Sequence, residues 1–262
     1  MTNRPIGRRE LLGIAGVAAL AAACGDAGSA PTAAASSKAP ASSSPKPSSA
    51  TSTPTKPATP AADNGKDVSH GPAGSGAVAL TFHGAGADSI ARGILAELGH
   101  GGAHATVFAV GSWLDADPSV AKAFLDGGHE LGNHTYHHKP MRSLGATEAK
   151  AEVEQCSAVL RRLTGTPGAW FRPSGTPYST PTIRAAARAA GYPHCVTYNL
   201  DSLDYTDPGA AAVTKNVLSA VRGGDIVSLH LGHAGTVTAL PAILAGLAAR
   251  SLRPVTVTQL LI

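Results

Sequence analysis

From Ala77 onward the chain alternates short apolar runs with stretches whose apolar residues recur every three to four positions. Strands are predicted at 78–82, 106–110, 130–132, 170–172, 195–198, 226–229 and 255–257. The helical period predicts helices at 89–98, 119–126, 147–163, 180–190, 210–220 and 240–249. Pro181 in the first turn of one and Gly165 just past the end of another are ordinary start and stop signals. About seven β/α units without a hairpin signal imply a parallel sheet with right-handed crossovers. Reactive residue types cluster just after Phe82, Gly132, Arg172, Tyr198 and Leu229, at the carboxyl ends of the strands. In a barrel those ends share one face. The expected fold is therefore an α/β domain, a distorted and incomplete (β/α)7-type barrel.

The first 76 residues follow no such pattern. Arg8-Arg9 precedes the apolar, uncharged stretch 11–23, which is too short to span a hydrocarbon core and reads as the h-region of a twin-arginine export signal. It ends in Ala21-Ala22-Ala23-Cys24, which suits lipoprotein processing. Residues 1–24 are then a leader, and Cys24 carries a lipid anchor on the extracytoplasmic face. Ordinary cleavage after an Ala-x-Ala site is the alternative. Residues 25–76 are dominated by Ala, Ser, Pro and Thr, with too little apolar surface to offset ordering entropy, and are expected to be a disordered tether. The folded domain is expected at 77–262.

Charge sharpens this division. The formal net charge is +4, but the leader and tether hold 7 of the 21 basic residues and only 4 of the 17 acidic ones. The domain is nearly neutral and has no basic run, which argues against a nucleic-acid partner. Ten of the eleven histidines lie in it. Cys156 and Cys195 are its only cysteines, and their spacing does not decide between a disulfide and two buried thiols.

The densest histidine group is His134-Thr135-Tyr136-His137-His138. One helical turn there would aim His134 and His138 at one point, and neutral imidazole is the commonest protein ligand for a divalent metal. Two ligands are too few for a hydrolytic metal, so a third is needed.

Five motifs in order now resemble the polysaccharide deacetylase family, carbohydrate esterase family four. They are Thr81-Phe82-His83-Gly84, the 134–138 histidine group, Arg172-Pro173-Ser174-Gly175, Asp201-Ser202-Leu203-Asp204-Tyr205, and Leu229-His230. The resemblance implies a metal-dependent hydrolase that removes N-acetyl groups from a cell-wall or extracellular polysaccharide, and the chain is expected to be a monomer. Zinc is the expected metal, with cobalt, nickel and manganese as alternatives. It also implies His134 and His138 as metal ligands, His230 as general acid, Asp201 as the carboxylate that tunes that acid, and Arg172 as the residue that orients the base. Ser174, Gly175, Tyr205 and Leu229 are implied for substrate binding. The first motif departs from the family pattern Thr-Phe-Asp-Asp-Gly. His83 stands where the base Asp is expected, and Gly84 where the third ligand is expected.

Two repairs are open. Asp88 turns back to the metal as its third ligand and His83 serves as the base, or His83 itself ligates; the alternatives are a cap on the following helix for Asp88 and a structural histidine for His83. Beside N-deacetylation, an O-acetyl esterase and a non-catalytic glycan-binding relative remain as readings.

Overall fold

The computed structural model describes residues 67–262. The leader and the first forty-odd residues of the expected tether lie outside them. A six-stranded parallel sheet runs β3-β2-β1-β5-β4, with β6 added at the start of β1. Its strands are β1 (Ala77–Gly84), β2 (Thr106–Ala109), β3 (Glu130–Asn133), β4 (Leu200–Asp201), β5 (Ile226–His230) and β6 (Arg253–Val255). The helices are α1 (Asp88–His100), α2 (Gly111–Ala116), α3 (Pro118–Asp126), α4 (Ala146–Thr164), α5 (Pro181–Ala189), α6 (Ala210–Leu218), α7 (Ala234–Ala248) and α8 (Val257–Leu261). None of them is long and apolar enough to cross a membrane.

The sheet is curled and open, as the pattern predicts. Past β3 the curl continues only as single bridges, Asn133 to Phe171 and Phe171 to Cys195. The predicted strands at 170–172 and 195–198 are thus reduced to bridges. Pro173 directly follows the first of them and has no N–H with which to extend its ladder. Residues 255–257 split: Val255 closes β6, and Thr256 caps α8 by a reciprocal capping box with Gln259. Residues 67–71, assigned by composition to the tether, are ordered on the domain. Val68 pairs with Val196 and His70 with Asp225.

Strand alternation decides what each side chain meets. On β1, Val78, Leu80 and Phe82 pack into the larger core under the helices, while Ala77 and Ala79 face the barrel interior with Phe108, Trp170, Val196 and Ile226. Small residues on the inner face of β1 leave room for the large ones. Continuing inward by twos gives Thr81 and then His83. On β5 the same rule turns Ile226, Ser228 and His230 inward and Val227 and Leu229 toward the helices. The β1–β5 register sets His83 directly beside His230. Cys156 and Cys195 are both free and buried.

Candidate active site

At the carboxyl ends of the strands lies a cavity of about 340 Å³, lined by His83, His134, His138, Arg172, Pro173, Gly175, Thr176, Pro177, Tyr198, Tyr205 and His230. No carboxylate is among its lining residues. The structure therefore brings together six residue positions that the sequence singled out for chemistry, plus Gly175.

His83 and His230 stack with ring centroids 3.9 Å apart, and His134 lies 5.1 Å from His83. His83 Nε2 is 3.0 Å from Ser228 Oγ, while its Nδ1 is buried without a partner. Burial first, then the neighbouring imidazoles and Arg172, hold His83 well below the usual histidine range. It is therefore neutral near pH 7. Ser228 is fully buried, so the Ser228–His83 pair presents no accessible nucleophile.

The histidine loop does not form the helical turn expected of it. Thr135 (φ 68°) and His138 (φ 59°) are both left-handed, and residues 134–138 are irregular. Left-handed backbone at non-glycine residues is strained and persists only where neighbours hold it. Several neighbours do. Asn133 Oδ1 accepts from Thr135 N at 2.9 Å. Thr135 Oγ1 donates to Ser174 Oγ, which donates to Lys139 O. Glu152, buried on α4, accepts from Tyr136 N at 3.1 Å, His137 N at 2.8 Å and the His137 ring at 2.8 Å. Burial pushes the Glu152 carboxyl up, but the His137 backbone and ring bonds outweigh it and hold the group below its usual range. His137 thus ties the loop to α4 and faces away from the cavity lining.

The loop nevertheless places His134 and His138 together, with ring centroids 5.0 Å apart. His134 Nδ1 is 2.9 Å from Arg172 O, which orients the ring, and its Nε2 is buried and unpartnered. Zinc–nitrogen bonds of about 2.0–2.1 Å in a tetrahedral arrangement put two imidazole centroids about 5 Å apart. His134 and His138 therefore fit two positions on such a metal. The third is not assembled: among the described residues no three His, Cys, Asp or Glu side chains form a metal-holding group.

Asp88 does not supply it. It opens α1 as an exposed residue, and its carboxylate takes Arg92 Nε at 2.8 Å. It is not the cap either, since Ala87 holds that position without a side-chain bond. Gly86 explains the path of the loop. A Cβ there would sit 2.0 Å from Leu231 O, so the backbone is pressed against the end of β5 and leads outward into α1.

Beside His83, His230 is held by Asp204, not by Asp201. Asp204 Oδ1 is 2.7 Å from His230 Nδ1, and Oδ2 accepts from His230 N at 2.8 Å and Thr236 Oγ1 at 2.6 Å. Burial pushes Asp204 up, but the ring bond and charge of His230, with the Thr236 hydroxyl and the His230 N–H, outweigh it and keep the carboxyl below its usual range. Asp201 instead accepts from Leu203 N at 3.0 Å and shapes the turn into Asp204. Sequence position alone favoured Asp201; the left-handed Leu203 (φ 57°) is what swings Asp204 inward.

Three other expected residues take different roles. Arg172 is buried, donating to Val196 O, Thr197 O and Thr81 Oγ1, with its guanidinium 4.2 Å over the Phe108 ring. With no aspartate on the first motif, it orients no base. Burial lowers it to about 9. Ser174 is a buried loop anchor, and Leu229 packs under the helices. Gly175 and Tyr205 do line the cavity, Tyr205 with its ring edge-on to His230 at 5.2 Å.

Residues 70–194 match the family model for polysaccharide deacetylases. The chain is 31% identical over 163 residues to a peptidoglycan-N-acetylglucosamine deacetylase of Bacillus cereus, covering 61% of this chain and 76% of that one. The chain belongs to the polysaccharide deacetylase family. It is also 28% identical over 183 residues to a peptidoglycan-N-acetylglucosamine deacetylase of Listeria monocytogenes, covering 70% of this chain but only 38% of the longer relative. Among solved structures, the Bc1960 peptidoglycan N-acetylglucosamine deacetylase superposes with a TM-score of 0.69 at 26% identity, over 74% of this chain and 91% of that one. A mutant of a CE4 family pseudoenzyme, described as having restored enzymatic activity, superposes equally well at 25% identity, over 74% of this chain and 70% of that one.

Proposed function

We propose that this chain hydrolyses N-acetyl groups on a cell-wall polysaccharide, with peptidoglycan as the leading substrate. One observation carries the reading: the carboxylate-held His230 lies beside His83 and the unpartnered nitrogens of His83 and His134 in a single cavity. The named activities of the relatives support the same chemistry.

A divalent metal, zinc first, would take His134 and His138 as two of the three protein ligands a catalytic site needs and would supply polarisation of the acetyl carbonyl; the third ligand is not assembled among the described residues. The protein's own groups then divide the proton work. With its Nε2–H donated to Ser228 Oγ, His83 has a free lone pair at Nδ1, and that atom takes the proton of the attacking water. His230, its Nδ1–H held by Asp204, donates from Nε2 to the departing amine. Asp204 keeps the ring in one tautomer and one orientation, the arrangement a general acid needs. Tyr205 walls the sugar side of the cavity. The open cavity is shared chemistry for amide and ester, so an O-acetyl glycan enters the same assay.

A second reading has its own observation. Asp88 is committed to Arg92, and no third ligand is assembled. That favours a glycan-binding relative without turnover, and the likeness to a CE4 family pseudoenzyme is in keeping with it. Export on a twin-arginine signal, lipidation at Cys24 and a monomeric state belong to the proposal too. Labelled palmitate incorporated into the wild type but not into Cys24→Ala supports the anchor.

The test is acetate release from N-acetylated peptidoglycan and chitin oligomers and from acetyl-xylan, with zinc and with a chelator. Release that requires zinc supports a hydrolase, and the substrate that yields it separates amide from ester. No release by a folded, zinc-bound protein supports the binding reading.

A further inference from the structure

The cavity is small for a polymer. At about 340 Å³ it lies near the lower end of ligand sites, roughly 300–1,000 Å³, and holds about one sugar unit. The other units of a chain seated there must run over the rim, so chain length is read at the rim. Aromatic side chains are scarce and mostly kept inside. The four phenylalanines and two tryptophans are buried or half-buried, and of the five tyrosines only Tyr178 and Tyr205 are exposed, by 60% and 47%. Both stand at this rim: Tyr205 lines the cavity, and Tyr178 directly follows Pro177, which lines it as well. The loop around Tyr178 is pinned while its ring is not. Thr176 Oγ1 accepts from Tyr178 N at 3.3 Å and donates to Tyr178 O at 3.0 Å. Pro177 O accepts from Thr197 Oγ1, and Ser179 N donates to Asp67 Oδ2 at 2.6 Å. Tyr178 is thus fixed through its backbone, with ring and hydroxyl left to solvent.

We propose that Tyr178 is a stacking platform for the sugar unit next to the one in the cavity, held in position by Asp67, and that it makes the chain select long oligomers over single sugars and dimers. The inference rests on the glycan reading of the cavity and adds to it a residue outside the cavity lining. The C–H face of a pyranose ring packs on an aromatic face through dispersion and the removal of apolar surface from water. A tyrosine on a fixed backbone gives up little freedom in doing so. Asp67 is the first described residue and precedes the residues matched by the family model, so the hold on the platform comes from the segment expected to be tether. No bond is made or broken in this recognition.

The experiment is calorimetric titration of the full chain in detergent, chelated so that no turnover occurs, with chitin oligomers from monomer to pentamer as probes. The tetramer is expected to bind at least about tenfold more tightly than the dimer. In Tyr178→Ala that gain should fall below about twofold, and Tyr178→Trp, which restores a flat face, should bring it back. Asp67→Ala should lose about threefold of the gain, because the platform is no longer held. Leu125→Ala removes an exposed apolar residue on α3, outside the cavity lining, and should keep the wild-type gain. A wild type that binds the tetramer no better than the dimer, or binds no probe, would overturn the proposal. So would a Tyr178→Ala protein that keeps the full gain, and a full gain in Asp67→Ala would overturn the hold on the loop. Acetate release from the same oligomers with zinc is read separately. Length-dependent binding without release keeps this inference and sinks the deacetylase reading; release with length-independent binding does the reverse.

Discussion

The two neighbouring strand ends at the cavity are built on opposite principles. At the end of β5, His230 sits on a buried carboxylate with both oxygens occupied by named donors. At the end of β1 and in the loop after β3, half-buried His83 and buried His134 each leave one ring nitrogen without a partner. One wall is closed in charge and hydrogen bonding; the other is open in both. A compensated group is set to hold a defined protonation state, and an uncompensated one is set to receive something. The difference teaches where ligand, metal or water belongs.

The largest break in this comparison is Asp204→Ala. Removing one partner of a buried, hydrogen-bonded pair costs about 3–5 kcal/mol, read by chemical denaturation. It should also abolish turnover. A loss under 1 kcal/mol would mean His230 does not depend on this carboxylate. Because the folded Asp204 is held below its usual range, its contribution is present above the unfolded carboxyl value near 4 and is lost as pH falls through the lower folded value. The compensated wall is therefore expected to fail in acid.

His129 offers a control, a buried imidazole outside the cavity. Burial, then His104, lowers it to about 4 from 6.5, and its Nδ1 accepts from Ala105 N at 3.3 Å. The unfolded chain binds the proton first, so stability should decline as pH drops from about 6.5 to 4, by roughly 3 kcal/mol from this residue. His129→Gln should remove that part of the slope; an unchanged slope between pH 7 and 4.5 would refute the assignment.

Glu152→Gln comes next. It keeps the size of the side chain but replaces one acceptor oxygen with a donor, at a group that receives three bonds from the histidine loop. About 2 kcal/mol should be lost. Amide exchange at Tyr136 and His137 should quicken far more than in β1, and equal protection would show that the loop holds itself. The smallest effect belongs to Asp88→Ala. The Asp88–Arg92 pair is exposed, so stability should change by about 0.5 kcal/mol or less, with zinc affinity unaltered. A tenfold loss of zinc affinity would return Asp88 to the metal.

Much of this was readable from the chain. Period-two alternation along 77–83 and 226–230 fixes which side chains enter the barrel, and it puts His83 and His230 inside and Leu229 outside without any coordinates. The same rule, applied strictly, would have removed Leu229 from the substrate wall. What could not be read were backbone choices at single residues. The i, i+4 spacing of His134 and His138 suggested a helical turn, but two left-handed residues bring the rings together instead. Leu203 decides between two aspartates three positions apart. Glu152 gave no local signal, because its contacts join α4 to a loop 15 residues away in sequence. Asp88 lay within reach in sequence, and the close approach of Gly86 to Leu231 O took it elsewhere.

The central claim is that His83 does the work of a base at the open wall while His134 and His138 keep the metal. The most direct test compares acetate release from peptidoglycan oligomers by the wild type and His83→Ala, with zinc content measured on the same samples. The account predicts release by the wild type, a loss of at least about 100-fold in the variant, and equal zinc in both. No release by the wild type, or a variant as fast as the wild type, would contradict it.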